Sequence, residues 1–268
     1  MVLVVGHGSR IHQANLDFEA LVERFRDYVP ESQIRFGYIE LAEPLLEKAL
    51  EDAAEETDEV MVLPLFLFAA GHVKRDIPSA VQEAREKFPH VHFLIAPPLG
   101  VHPHMIRLVL KRLSESRVRF GQDHSQTVVV MVGRGSSDPD ANGDFYKLVR
   151  ILEETCSYAR VVPCFVAITR PWLPETLEYV ARENPKAILI QPYLFFPGKL
   201  VHRIENEARD FSKRYPEILV RISSLLGEDP LIFELLKEKI RQVEAHEILL
   251  SADPYDYRAL LASVEGGH

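Results

Sequence analysis

Residues Pro64–Pro78 read PLFLFAAGHVKRDIP, and the way this stretch changes character along its length decides the fold. The apolar run from Leu63 to Phe68 has the length and aromatic content of a buried strand. It ends at Ala69-Ala70-Gly71, where the backbone can turn freely. His72 follows at once, just past the carboxyl end of the strand, which is where α/β folds keep their sites. Lys74 and Arg75 come next, so a ligand reaching His72 also meets two cations, and that points to an anion. Taken alone, His72 reads equally as a loop histidine solvating a turn.

Working outward, strand and helix alternate. Met1–Val5 reads as a first buried strand and Gly6-His7-Gly8-Ser9-Arg10 as the turn leaving it. Leu16, Ala20, Leu21 and Phe25 recur at helical spacing between Ala14 and Tyr28. Gln33–Ile39 is a second strand that delivers Glu40 to its carboxyl end, ahead of a helix opened by Pro44. Val60–Phe68 makes the third strand, a helix runs on to about Phe88, and Val91–Ala96 makes the fourth. This pattern predicts an α/β fold with parallel sheets covered on both faces.

The chain then repeats itself at one fixed offset of 127 residues, with no gap. His7 faces Arg134, Pro44 faces Pro171, and Gly71 faces Gly198. GHGSR pairs with GRGSS, and Ala14-Asn15-Leu16-Asp17-Phe18 with Ala141-Asn142-Gly143-Asp144-Phe145. A period of this size means a duplicated domain and not a solenoid. The expected domains are residues 1–122 and 123–268, parted in the polar stretch FGQDHSQ before the strand Thr127–Val132.

Duplication keeps the scaffold, so differences between the halves locate specialised chemistry. At the common offset His7 becomes Arg134, Glu40 becomes Ala167 and His72 becomes Lys199, all at strand ends. Two imidazoles and a carboxylate are a common ligand set for a divalent transition metal with open positions. Arg10, Lys74 and Arg75 in the first half, with Arg134, Lys199, His202 and Arg203 in the second, suit a polyanion bearing carboxylates held in a cleft between domains.

Composition narrows the classes. At 268 residues and 47% apolar content the chain reads as globular, and a net charge of −9 without a long basic stripe argues against nucleic acid. The amino terminus lacks a basic n-region and its apolar run is too short for a membrane span, so a cytoplasmic protein is expected. Cys156 and Cys164 form neither a disulfide framework nor a CxxC pair and are assigned no role.

VVGHGSR, YIELAEP, PLFLFAAGHVKRDIP and GRGSSDPDANGDFYKLVR closely resemble the sirohydrochlorin cobaltochelatase/ferrochelatase (CbiX/SirB-like) branch of the class II chelatases, over roughly residues 1–240. The resemblance implies a chelatase-like fold of two similar α/β domains and insertion of a divalent metal into a modified tetrapyrrole. It places the metal histidines on His7 and His72 and the family's glutamate on Glu40. Long members carry an MxCxxC iron–sulfur motif near the carboxyl terminus. Here Ala252 and Tyr255 fill both cysteine positions, so no iron–sulfur cluster is expected. The histidine-rich tail of some members is also expected to be missing.

The expected ligands are therefore the metal, as substrate, and sirohydrochlorin, with no nucleic acid and no membrane. One chain carries both domains, so a monomer suffices to form the cleft. Co²⁺, Fe²⁺ and Ni²⁺ all suit two histidines and a glutamate. Cobalt is placed first because the chain matches the longer two-domain members. His102, following the fourth strand on the site side, is a candidate for lining the cleft, whereas His12, His90, His92, His124 and His246 read as loop, strand-edge or terminal residues. Two other functions fit part of the pattern. A histidine phosphatase is disfavoured because Gly6 stands where that chemistry places arginine. A bilobed metal-binding or delivery protein predicts metal binding without tetrapyrrole affinity.

Overall fold

The structure is a computed structural model and describes residues 1–117 and 125–245. In the first repeat, strands β1 (Val2–Gly6), β2 (Ile34–Tyr38), β3 (Glu59–Pro64) and β4 (His92–Ile95) form a parallel sheet in the order β2-β1-β3-β4. In the second, β5 (Thr127–Gly133), β6 (Arg160–Phe165), β7 (Ala187–Pro192) and β8 (Leu219–Ile222) repeat the order as β6-β5-β7-β8. Chain order and spatial order part company at β1 and at β5. At such a switch point neighbouring connections leave on opposite faces and open a crevice at the carboxyl ends of the strands.

Both central strands, VLVVG and TVVVMVG, are buried along their whole length, as strands covered on both faces must be. Alternate side chains serve opposite faces. Leu3 and Val5 of β1, Val60 and Val62 of β3, and Phe93 and Ile95 of β4 form one core. Helix α2 (Leu46–Ala54) joins it through Leu46, Ala49, Leu50 and Ala53, and α3 (Ile77–Lys87) through Ile77, Ala80, Val81 and Ala84. Those spacings put one apolar stripe per helix on the sheet. In the first half of α1 (His12–Tyr28), Phe18 lies over Gly6, where an added Cβ would come 2.8 Å from its ring. The second repeat builds the corresponding core from Val128, Val130, Val132, Ile188 and Ile190, with α6 (Leu173–Ala181) and α7 (Lys199–Arg214) on it.

The backbone specials recur at the same offset as the sequence. Gly8 and Gly135 share φ +86°, Leu41 and Ile168 lie at +66° and +60°, and Glu43-Pro44 and Arg170-Pro171 are both cis.

Contacts group the chain differently from the expected boundary at residue 122. One unit comprises Met1–Arg10, Phe18–Gly100 and the chain from Phe233, and the other Ile11–Asp17 and Val101–Ile232. The helix that closes each sequence repeat thus packs in the other unit. Helix α8 (Pro230–Glu244) gives Phe233 to Phe25, ring centroids 6.0 Å apart, and Lys237 to Glu31 at 3.3 Å. Helix α4 (Pro103–Arg117) holds the loop before α8 through Arg112, whose guanidinium donates to the carbonyls of Leu225 and Leu226 and lies 3.2 Å from the buried Asp229 carboxylate.

Three local expectations change. Pro44 does not open α2. Its carbonyl accepts from the Tyr38 N–H at 2.9 Å, Leu45 is still extended, and the helix starts at Leu46. Leu45 is bridged to Tyr38 as a short extension of the sheet, so helical backbone can begin only after it. The third strand stops at Pro64 instead of Phe68, because Phe66 and Leu67 turn their carbonyls to the N–H groups of Leu99 and Gly100. His12 is the first residue of α1 and not a loop residue. His124 and His246, the FGQDH part of the boundary segment and residues 250–258 lie outside the described residues.

Cys164 is fully buried on β6, and that burial pushes its thiol far above the usual range. Because the thiolate is the reactive form, a thiol reagent is expected to label Cys156 alone in the native protein and both cysteines only in denaturant. Rapid labelling of two thiols in native protein would contradict this packing.

Candidate metal centre

The three parallel strands β2, β1 and β3 end level with one another, and each hands over one polar side chain. Gly6 is in register with Tyr38, and Val5 with Pro64. The ladder then continues for two more peptides, with Ile39 N–H to the Gly6 carbonyl and Glu40 N–H to the His7 carbonyl, both at 3.0 Å. Glu40 is thereby tied by backbone to His7. Gly8 makes the close approach possible: a Cβ built there would stand 1.7 Å from the Glu40 carbonyl oxygen. No L side chain fits, and φ +86° is a conformation that glycine adopts without cost.

His72 arrives from β3 by a different device. Residues His72–Asp76 form a single π turn, closed by the Ile77 N–H on the His72 carbonyl. Pro78 supplies the reason. It has no N–H to give to Lys74, and its ring crowds that carbonyl, so an ordinary α turn there is disfavoured. Single π turns recur at functional sites.

The result is a cluster in which donor atoms of His7, Glu40 and His72 all lie within 4.8 Å of one another. The His7 Nε2 to Glu40 Oε1 distance is 3.6 Å, and the two imidazole rings meet edge to face with centroids 4.7 Å apart. Donors around a tetrahedral ion at about 2.0–2.2 Å lie roughly 3.4 Å from each other, so the His7–Glu40 edge already has metal-binding length. Each imidazole uses its other nitrogen inside the protein: His7 Nδ1 lies 3.1 Å from the Gly8 carbonyl oxygen, and His72 Nδ1 lies 2.5 Å from Asp76 Oδ2. With Nδ1 donating, the Nε2 lone pair of each ring is left to face an ion. The side chains of His7, Glu40 and His72 are 29%, 48% and 35% exposed, so the ion site opens to solvent on one side.

Beneath the site, Tyr38 at the end of β2 is buried and donates its hydroxyl to Glu19 Oε1 at 2.9 Å. Burial first, and then that carboxylate, hold its pKa well above the usual phenol value, so it is a structural phenol and no acid at neutral pH.

The cations expected around the site fall into two sets. Arg10 follows β1 as an exposed residue, and Lys74 and Arg75 lie in the π turn, with the Arg75 guanidinium folded over Gly71. In the other unit Arg134, just past β5, and Lys199, at the start of α7, are exposed at their strand ends. His202 and Arg203 differ, because each is turned to an acid on its own helix, Glu205 at 3.2 Å and Glu207 at 2.7 Å. His102 caps α4, its Nδ1 accepting from the His104 N–H at 3.2 Å. Asp76 was not singled out from the sequence. Its four-residue spacing from His72 on a helical turn was the available signal.

Among the described residues no helix is long and apolar enough to cross a membrane. A family model described as CbiX matches the chain twice, over residues 1–116 and 128–243, one match per repeat. A sirohydrochlorin cobaltochelatase from Priestia megaterium is 33% identical over 258 residues, covering 96% of this chain and 84% of that protein. A sirohydrochlorin ferrochelatase from Bacillus subtilis is 28% identical over 246 residues, covering 91% and 92%. The solved structure of SirB from Bacillus subtilis with Fe³⁺ superposes with a TM-score of 0.80 at 28% identity, over 90% of this chain and 94% of that one. With the duplicated sheets, the strand-end cluster and a match across both repeats, the chain belongs to the CbiX family.

Proposed function

We propose that this protein is a sirohydrochlorin chelatase that inserts a divalent metal ion into the macrocycle, with His7, Glu40 and His72 as the metal-handling residues. The convergence of those three side chains at adjoining strand ends carries the reading, since it supplies what metallation requires. The ion must shed water, and two pyrrole N–H groups must lose their protons as two metal–nitrogen bonds form. Nε2 of His7 and of His72 hold the incoming ion. Neutral imidazoles then accept pyrrole protons as the ion leaves them for the ring. Glu40, tied to His7 by the backbone, completes the site or takes a proton in turn. Holding ion and macrocycle at a set distance supplies much of the rate.

Arg10, Lys74 and Arg75, next to His7 and His72 in the chain, bind carboxylates of the macrocycle, and Arg134 and Lys199 are the second repeat's own candidates for the same role. His202 contributes less, because Glu205 already engages it. Co²⁺ is the first candidate as substrate and Fe²⁺ the second, with Ni²⁺ also within the reach of this donor set. The similarity to the cobaltochelatase over 96% of the chain supports that order. The place of work is the cytoplasm.

The test is anaerobic insertion of Co²⁺ and of Fe²⁺ into sirohydrochlorin, followed by absorbance. Insertion by the wild type supports the reading, and the ratio of the two rates ranks the metals. Tight metal binding with no insertion of either ion would instead make this a metal-binding or delivery protein.

A further inference from the structure

The duplicated half provides an internal control on Asp76. At the common offset His72 corresponds to Lys199, Asp76 to Arg203 and Pro78 to Glu205. The π turn of the first half is absent from the second, where a regular α-helix runs from Lys199, and Gly198 ahead of it is extended with φ 168°. The acid, the proline and the widened turn are therefore found only in the half that has the histidine. The core positions around them are retained, since Ile77 and Ile204 are both fully buried. Scaffold packing does not require Asp76. Its side chain is 51% exposed, and an exposed pair of this kind contributes little to folding.

We infer that Asp76 is a positioning residue for the metal step: by accepting the Nδ1 hydrogen bond of His72 across the π turn, it sets the tautomer and direction of the ring so that Nε2 faces the ion. The inference rests on the reading of His72 as a metal ligand. A carboxylate only accepts, so the 2.5 Å contact makes Nδ1 the donor and leaves Nε2 with its lone pair. His7 obtains the same arrangement from a backbone carbonyl. His72 takes it instead from the acid four residues on. An orienting partner of this type is worth about 10–100-fold in metal affinity.

The experiment is a titration of the metal-free protein with Co²⁺, read by the visible absorption of the bound ion, for wild type, Asp76→Asn, Asp76→Glu and His72→Ala. Asp76→Asn is expected to bind Co²⁺ about 10–100-fold more weakly, with a shifted visible band. Its melting temperature without metal and its KM for sirohydrochlorin should stay at the wild-type values while kcat falls. Asp76→Glu should recover most of the affinity. An unchanged affinity and band in Asp76→Asn would overturn the inference, as would a loss matched by a lower melting temperature that Asp76→Glu fails to rescue. If His72→Ala loses the ion and Asp76→Asn keeps it, only the role of Asp76 falls. If His72→Ala binds Co²⁺ as tightly as wild type, the ligand assignment itself falls.

Discussion

His72→Ala is expected to lower the rate of Co²⁺ insertion into sirohydrochlorin by about 10²–10⁴-fold, the usual range for removing a group that holds or moves a proton in the reaction. The same substitution should leave folding stability within about 0.5 kcal/mol, since the side chain is 35% exposed and alanine is at ease in a helical turn. His7→Ala should act alike on the rate. His92→Ala is the control: that imidazole is 68% exposed at the start of β4, 3.7 Å from Glu59, and has no part in the cluster. Steady-state insertion rates with thermal melting of each variant distinguish a lost ligand from a lost fold. Wild-type rates in both His7→Ala and His72→Ala would remove the assignment of this site.

Gly8→Ala should be the most damaging single methyl group in the first unit. The new Cβ would meet the Glu40 carbonyl oxygen at 1.7 Å on a backbone at φ +86°. Left-handed backbone costs an L residue about 1–2 kcal/mol and overpacking about 1–3 kcal/mol, so a loss of about 2–5 kcal/mol is expected. The displaced atom is backbone, and moving it carries the Glu40 side chain with it. A shift of that size at a reacting centre costs about 10²-fold in rate. Gly135→Ala tests whether the two effects separate. Its Cβ would stand 2.3 Å from the Ala167 carbonyl oxygen, so stability should fall similarly, yet Co²⁺ affinity should hold because no metal-binding side chain follows there. Thermal melting and Co²⁺ titration of both variants decide it. Full metal affinity in Gly8→Ala would mean that the Glu40 backbone can yield without moving its carboxylate.

Much of this was legible in one dimension, for reasons that are local. Strands such as VLVVG and TVVVMVG, buried on both faces, must be apolar throughout, so they stand out as runs. A gapless repeat carries its turns along with its residues, so the offset that aligned His7 with Arg134 also aligned the left-handed positions at Gly8 and Gly135. The candidate site residues were legible because duplication made the two halves comparable position by position: His7, Glu40 and His72 were conspicuous as departures from Arg134, Ala167 and Lys199.

What the chain order alone determined, then, was the fold class, the two repeats and which side chains end up at strand ends, because each depends on periodicity or on comparison along the sequence. The tertiary structure decided the rest. That the three donors lie within 4.8 Å follows from strand order and register, which place β2 and β3 on either side of β1. Which partner holds each imidazole at Nδ1 depends on contacts made across a turn and with a neighbouring carbonyl. The grouping of α4 and α8 away from their own repeats depends on packing: a terminal amphipathic helix can cover either of two similar sheets, and its apolar stripe does not say which.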